Sequence, residues 1–199
     1  MEMETRSHLS EIRAKGDDKK KKLVGYAAVF DRRSLDLGGF VEVIERGAFA
    51  ESLNDGVDVR ALIDHRGIAI ARTGNGTLTL EEDDIGLRVE IDTPDTTAGN
   101  DIYTSVQRGD VDQMSFGFTV RNGGDTWEED DEGMLVRTLT GVNLLETSIV
   151  TFPAYPDTTI ANRSVQQYRE KQGKQLSLAN AAKRRRQSQI LKLKERGLI

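Results

Sequence analysis

Alternating apolar and polar residues recur in short runs along the chain, and the segment DVDQMSFGFTV, residues 110–120, shows the pattern clearly. A strand places successive side chains on opposite faces. One face of this segment carries Met114, Phe116, Phe118 and Val120, and the other carries Ser115, Gly117 and Thr119. Ser115 therefore lies on the solvent side of a half-buried strand, or it is a nucleophile that a substrate must reach, with Gly117 clearing the space beside it.

Similar runs, bounded by turn residues, predict further short strands on both sides of this segment. They are HLSEIRA near the N-terminus, LVGYAAVF (23–30), FVEVIERGAFAESLN, VDVRALIDH (57–65), GTLTLEED, GLRVEIDT, MLVRTLTGV and NLLETSIVTF. The third of these segments is predicted to pass from a strand into a short helix near Gly47–Leu53. The charged stretch GDDKKKK, residues 16–22, is predicted to be an exposed turn.

A second helix is predicted between Pro94 and Asp110, where Ile102, Tyr103 and Val106 are spaced for one buried face. About eight short strands with two or three helices favour a mainly β fold with flanking helices, built as an antiparallel sandwich or a closed barrel.

The composition indicates a soluble intracellular protein. The chain has 199 residues, 37% of them hydrophobic and 31% charged, and no cysteine. The absence of cysteine excludes disulfides, thiol nucleophiles and thiolate zinc sites. The charged N-terminus lacks the apolar core of a signal peptide, and no run of apolar residues is long enough to span a membrane.

Charge divides the chain into an acidic body and a basic tail. Between Arg163 and Ile199 there are eleven Lys or Arg residues and two Glu residues, against a whole-chain net charge of −5. Residues 1–22 are interpreted as an N-terminal strand and charged turn, 23–163 as the body, and 164–199 as a flexible or conditionally helical tail.

Two side chains in the body are candidates for chemistry. His65 is the one histidine predicted to lie there, at the end of an apolar-faced strand, and a partly buried structural histidine is the alternative. Glu146 falls on the largely apolar face of NLLETSIVTF, where burial costs several kcal/mol unless a partner holds the charge. An edge-strand glutamate that reaches solvent is the alternative for Glu146.

Ser115, His65 and Glu146 together would supply the nucleophile, base and orienting carboxylate of acyl transfer. A neutral imidazole removes the serine proton and later protonates the leaving amine, while the carboxylate fixes the imidazole tautomer. Pattern alone does not bring the three side chains together, because Ser115 falls on a small-residue face and the other two fall on apolar faces.

The resemblance to a known family is carried by motifs that follow in one order over residues 23–163. They are GYAAVFDRRSLDLGGFVEVIERGAFAESL, VDVRALIDH, GTLTLEEDDIGLRVEIDTPDT, RGDVDQMSFGF and LLETSIVTFPAYPDTTI. On these motifs the chain resembles the prohead proteases of tailed bacteriophages, serine peptidases of capsid maturation related to herpesvirus assemblins. The resemblance implies a closed antiparallel β-barrel of the herpesvirus-protease type with flanking helices.

The resemblance also implies a catalytic serine at Ser115 and a catalytic histidine at His65. The herpesvirus branch uses a second histidine as the third member, whereas the body here offers none, so an acid is expected. Glu146 is the expected acid, and Asp64 is the alternative. Asp64 is less suitable because it is the immediate neighbour of His65 and would point to the opposite strand face. A loop near Phe152–Tyr155 is the candidate for the backbone N–H groups that would bind the oxyanion.

The implied enzyme works inside the procapsid in the host cytoplasm, without metal or cofactor. It cleaves the scaffolding segment of the major capsid protein, or a separate scaffold, and then itself. A homodimer is an open expectation, because assemblin relatives are activated by dimerisation. The rival is a noncatalytic capsid-assembly or scaffold-binding protein on the same fold.

The remaining motifs fit solvent-exposed structure better than binding sites. The two EEDD runs, at 81–84 and 128–131, lack the spacing of a calcium loop and are interpreted as solvated turns. The KRRR cluster, residues 183–186, suggests a tail that docks on an acidic scaffold segment, or else a disordered extension that is removed by self-cleavage. Neither nucleic acid nor a membrane is an expected partner.

Overall fold

A computed structural model describes residues 3–7, 11–17, 20–152 and 158–195. The chain divides into two compact units, residues 1–158 and 159–199. The strands of the first unit are β1 (Glu4–Ser7), β2 (Ile12–Asp17), β3 (Lys20–Val29), β4 (Phe40–Ile44), β5 (Arg60–Ile63), β6 (Arg66–Arg72), β7 (Leu78–Glu82), β8 (Gly86–Asp92), β9 (Gln113–Val120), β10 (Asp125–Glu129), β11 (Leu135–Leu139) and β12 (Val142–Val150). Its helices are α1 (Ala50–Asn54), α2 (Thr97–Arg108) and a 3-10 turn at Thr73–Asn75, and α3 spans Thr158–Glu195.

The described strands form three sheets. Their strand orders are β1-β9-β12-β5-β6, β10-β11-β4 and β2-β3-β8-β7. Most neighbours are antiparallel, and β12–β5 and β11–β4 are parallel pairs. The mainly β prediction is confirmed. None of these sheets closes on itself within the described strands, so closure into a barrel stays a prediction.

The apolar face of β9 forms the centre of the core, as its alternation predicts. Met114, Phe116 and Phe118 are fully buried, whereas Val120 at the strand end is only partly buried. The Phe116 ring lies 5.0 Å from that of Phe118 and 5.3 Å from that of Phe49. Each such side chain contributes roughly 1.5–3 kcal/mol through burial, which holds β9 in place from one side.

Helix α2 begins and ends as its sequence predicts. The Thr96 hydroxyl accepts a hydrogen bond from the Gly99 N–H at 3.2 Å, which caps the first turn. Gly109 ends the helix with φ 79°, a left-handed conformation that favours glycine. The predicted face of Ile102, Tyr103 and Val106 is buried.

The structure has more strands than predicted. The predicted strand over 57–65 is wrong at both ends, since β5 covers Arg60–Ile63 and residues 64 and 65 form a turn. The stretch after His65 forms β6. The predicted turn over 16–22 is wrong at both ends, because Gly16 and Asp17 belong to β2 and Lys20–Lys22 belong to β3. The backbone of α3 is helical from Thr158, six residues before the predicted start of the tail.

A buried cluster of charges joins β1 to the three-stranded sheet. Arg6 contacts Glu4 at 2.5 Å and Glu42 at 2.9 Å, and Arg137 contacts Glu4 at 2.8 Å and Glu42 at 3.2 Å. Burial raises the pKa of Glu4, but Arg137 and Arg6 outweigh that effect and hold the pKa below its usual value. The cluster anchors β1 beside β9, and pattern analysis did not find it.

Candidate active site

His65 lies in the tight turn between β5 and β6. Asp64 and His65 have φ values of 49° and 58°, the combination of a primed hairpin turn. Non-glycine residues seldom adopt this conformation, and it recurs at functional sites. The turn is held by Asp64, whose carboxylate accepts hydrogen bonds from the Thr151 backbone N–H at 2.7 Å and its hydroxyl at 3.0 Å.

The His65 imidazole contacts Glu146. Its Nδ1 lies 2.7 Å from Glu146 Oε1, and 22% of the His65 side chain is exposed. An ionised carboxylate only accepts hydrogen bonds, so this contact favours the tautomer with the proton on Nδ1, which leaves Nε2 as the acceptor nitrogen. The carboxylate of Asp64 is bonded to Thr151 instead. The structure therefore pairs His65 with Glu146.

A β-bulge in β12 determines which face Glu146 occupies. Leu144 lies opposite Phe118 of β9, whereas Glu146 lies opposite Gly117, so Leu145 is an inserted residue. The prediction that Glu146 shares the apolar face of Leu144 is wrong. The bulge turns Glu146 onto the other face of the sheet, the face of Ser115 and Gly117.

Gly117 makes room for the Glu146 carboxylate. A Cβ atom at position 117 would lie 2.5 Å from Glu146 Oε1, closer than real contacts allow, and 3.0 Å from its Cγ, which is tighter than most contacts. The glycine beside Ser115 thus clears space for the acid that contacts His65. The space beside Gly117 is therefore occupied by the Glu146 side chain and is not open to solvent.

Ser148 binds the second oxygen of the same carboxylate. Its hydroxyl donates to Glu146 Oε2 at 2.5 Å, and both side chains are buried. Sequence analysis did not find Ser148 as a partner of Glu146. Ser148 lies two residues after Glu146 and therefore on the same strand face, so a contact between the two side chains could have been predicted from the sequence.

Ser115 lies on this face, one strand away from Glu146. It is paired directly opposite Ser148 across β9 and β12 and is fully buried. Its hydroxyl donates to the backbone carbonyl of Arg6 in β1 at 2.8 Å. Among the described residues, the buried Nε2 of His65 has no hydrogen-bond partner. The structure brings His65 and Glu146 into contact and places Ser115 on their sheet face, without a bond from Ser115 to His65.

Other candidate features are absent from the described residues or lie outside them. No cluster of His, Asp and Glu side chains suited to a metal ion occurs within the described ranges. No helix in the part of the chain that the structure covers is long and apolar enough to cross a membrane. Most of the loop considered for the oxyanion, residues 153–155, lies outside the described residues.

Comparisons with known proteins identify the family. The family model described as "Caudovirus prohead serine protease" matches residues 8–171, most of the chain. The solved structure of the bacteriophage T4 capsid assembly protease is similar at a TM-score of 0.45 and 8% identity, covering 77% of this chain and all of that one. No curated protein matches. On the family match, the chain belongs to the caudovirus prohead serine protease family.

Proposed function

We propose that Ser115, His65 and Glu146 form the catalytic triad of this phage head maturation protease. The observation that carries the proposal is the 2.7 Å contact of His65 Nδ1 with Glu146 Oε1, on the sheet face that also bears Ser115. This contact leaves Nε2 as the free base, the role that activates a serine hydroxyl.

The proposed reaction proceeds by acyl transfer. The Ser115 oxygen attacks the carbonyl carbon of a peptide bond while its proton passes to His65 Nε2. That proton then passes to the amine nitrogen as the C–N bond breaks. Water attacks the resulting ester, gives up a proton through His65, and releases a carboxylate product with Ser115 restored. Glu146 keeps the proton on Nδ1 and stabilises the transient imidazolium.

Ser115 has to change partner before this reaction can begin. In the structure its hydroxyl donates to the Arg6 carbonyl and is fully buried. Rotation about its χ1 redirects the hydroxyl, and an opening has to admit the substrate. The geometry fits a resting enzyme whose activity rises at the high substrate density of a closed procapsid, and equal activity of dilute free enzyme would contradict that expectation.

The proposed substrates are the scaffolding segment of the major capsid protein, or a separate scaffold, and the chain itself. We assign residues 23–163 to the protease domain, completed as a closed barrel, and residues 1–22 to an N-terminal segment whose strands β1 and β2 pair with β9 and β3 of that domain. Residues 164–199 form the basic tail, proposed to dock on an acidic scaffold segment within the procapsid. Normal encapsidation of a chain ending at residue 164 would exclude the docking role.

Co-expression with the phage's own major capsid protein tests the function. Intact-mass analysis should show shortened capsid protein with the wild type and full-length capsid protein with Ser115→Ala. Ser105→Ala, on helix α2, is the matched control and should cleave like the wild type. Unprocessed capsid protein with an encapsidated wild type would favour the noncatalytic assembly protein, and cleavage by Ser115→Ala would exclude Ser115 as the nucleophile.

A further inference from the structure

The two oxygens of the Glu146 carboxylate have different partners. Oε1 lies 2.7 Å from His65 Nδ1, and Oε2 accepts the Ser148 hydroxyl at 2.5 Å. Glu146 is only 6% exposed and Ser148 is fully buried, so solvent provides little alternative hydrogen bonding for either group. A buried hydrogen bond to a charged acceptor is among the stronger ones in proteins.

Gly117, the residue of β9 opposite Glu146, offers no side chain that could fix the orientation of the carboxylate. The terminal torsion of a glutamate is broad, so a carboxylate beside a glycine rotates readily unless a hydrogen bond fixes it. The Ser148 hydroxyl is placed to do so, because Glu146 and Ser148 are two residues apart on one face of β12.

We propose that Ser148 is a positioning residue that holds the Glu146 carboxylate with Oε1 aimed at His65 Nδ1. This inference rests on the proposed function, because it assigns Glu146 the orienting role. Ser148 acts through Glu146 and does not itself attack the substrate, since its proton is given to Oε2 and not to His65.

The test measures how fast a fluorophosphonate probe modifies the nucleophile in procapsids formed by co-expression with the major capsid protein. Ser148→Ala should lower the maximal labelling rate about 10- to 100-fold with little change in the half-saturating probe concentration, since misplacing a catalytic group by about 1 Å costs on the order of 100-fold. Ser148→Thr keeps the hydroxyl and should restore the rate to within about threefold of the wild type.

A matched control separates positioning from ordinary structural support. Ser52 is also buried, and its hydroxyl accepts the Leu144 backbone N–H at 2.9 Å. Ser52→Ala loses a comparable buried hydrogen bond to β12 without removing a partner of the Glu146 carboxylate, and it should slow labelling much less than Ser148→Ala does. If Ser52→Ala and Ser148→Ala slow labelling equally, Ser148 has only a structural role and the inference is overturned.

The outcomes also separate this inference from the proposed function. Wild-type labelling of Ser148→Ala, with none in Ser115→Ala, would overturn the role of Ser148 and leave the triad intact. If Ser148→Ala does not fold, the Ser148→Thr variant decides: a wild-type rate supports the role of the hydroxyl, and loss of labelling in the folded variant overturns it. Labelling that persists in Ser115→Ala would overturn the triad itself.

Discussion

Gly117→Ala is the substitution that most selectively disturbs the contact between His65 and Glu146. The added Cβ would lie 2.5 Å from Glu146 Oε1, and an ordinary contact begins at 3.4 Å. The Glu146 oxygen must therefore move by about 0.9 Å if the strands stay in place. Moved directly away from His65, Oε1 would lengthen its 2.7 Å contact to about 3.6 Å, which is too long for a hydrogen bond.

The displaced group is the end of a flexible side chain, so the fold should survive the substitution. We expect Gly117→Ala to keep a cooperative unfolding transition, destabilised by no more than about 1–3 kcal/mol, the range for modest overpacking. Activity should fall much further, by about 100-fold, because a misplacement of about 1 Å at a catalytic group has that effect.

The assay compares capsid-protein cleavage over time with thermal unfolding of the same preparations. Gly123→Ala is a suitable control, because Gly123 also lies in the first unit and no atom lies within 4 Å of a Cβ built there. The φ of Gly123 is 76°, a conformation that strains an alanine backbone and lowers stability. This control therefore shows how much a loss of stability alone slows cleavage, since position 123 does not contact Glu146. Wild-type cleavage by Gly117→Ala would refute the orienting role of Glu146.

Three further predictions follow from the same contacts. Glu146→Gln should slow cleavage about 1,000- to 10,000-fold, whereas Asp64→Asn should stay within a few-fold in the same capsid-protein assay, since the Asp64 carboxylate holds the turn and not the imidazole. Glu4→Gln should lower the free energy of unfolding by about 3 kcal/mol at pH 7 in urea titrations. Because its partners lower the pKa of Glu4 in the folded chain, that difference should shrink as the pH falls from the ordinary value of 4.5 through the lowered pKa, where the folded wild type also loses the charge. Phe116→Ala should cost about 3–5 kcal/mol of unfolding free energy by the same titration, since its ring is fully buried.

Alternation predicted the strand that bears the proposed nucleophile. No bulge interrupts β9, so its period of two runs from Met114 to Phe118 and separates the apolar face from the face of Ser115. The buried face of α2 could be predicted for the same reason, because a regular helix keeps its period. Local patterns succeed wherever the element is regular and one face is buried.

The same reasoning failed where the backbone departs from regularity. The bulge at Leu145 moves Glu146 to the opposite face, and no glycine or proline in that strand marks it. The turn at Asp64 and His65 lacks the Asn-Gly or Asp-Gly pair that usually signals a two-residue hairpin, so the predicted strand ran through it. Both irregularities lie at the candidate site, where strained backbone is expected.

The buried charge cluster could not be predicted from local pattern either. Glu4 and Arg6 lie in β1 and Arg137 in β11, more than 130 residues later in the chain. Glutamate and arginine side chains usually lie at the surface, so none of these residues taken alone indicates a buried position. Only the contact of β1 with the three-stranded sheet that contains β11 brings them together, and a long-range contact of this kind leaves no short-range signal.

The central claim is that Ser115 is a nucleophile activated by His65, and mapping the covalent adduct tests it most directly. Procapsids that are cleaving their capsid protein are treated with a fluorophosphonate, digested and analysed by mass spectrometry. We predict an adduct on the peptide that contains Ser115, absent from Ser115→Ala and lost in His65→Ala. An adduct on another serine, or labelling of Ser115 that persists in His65→Ala, would contradict the account.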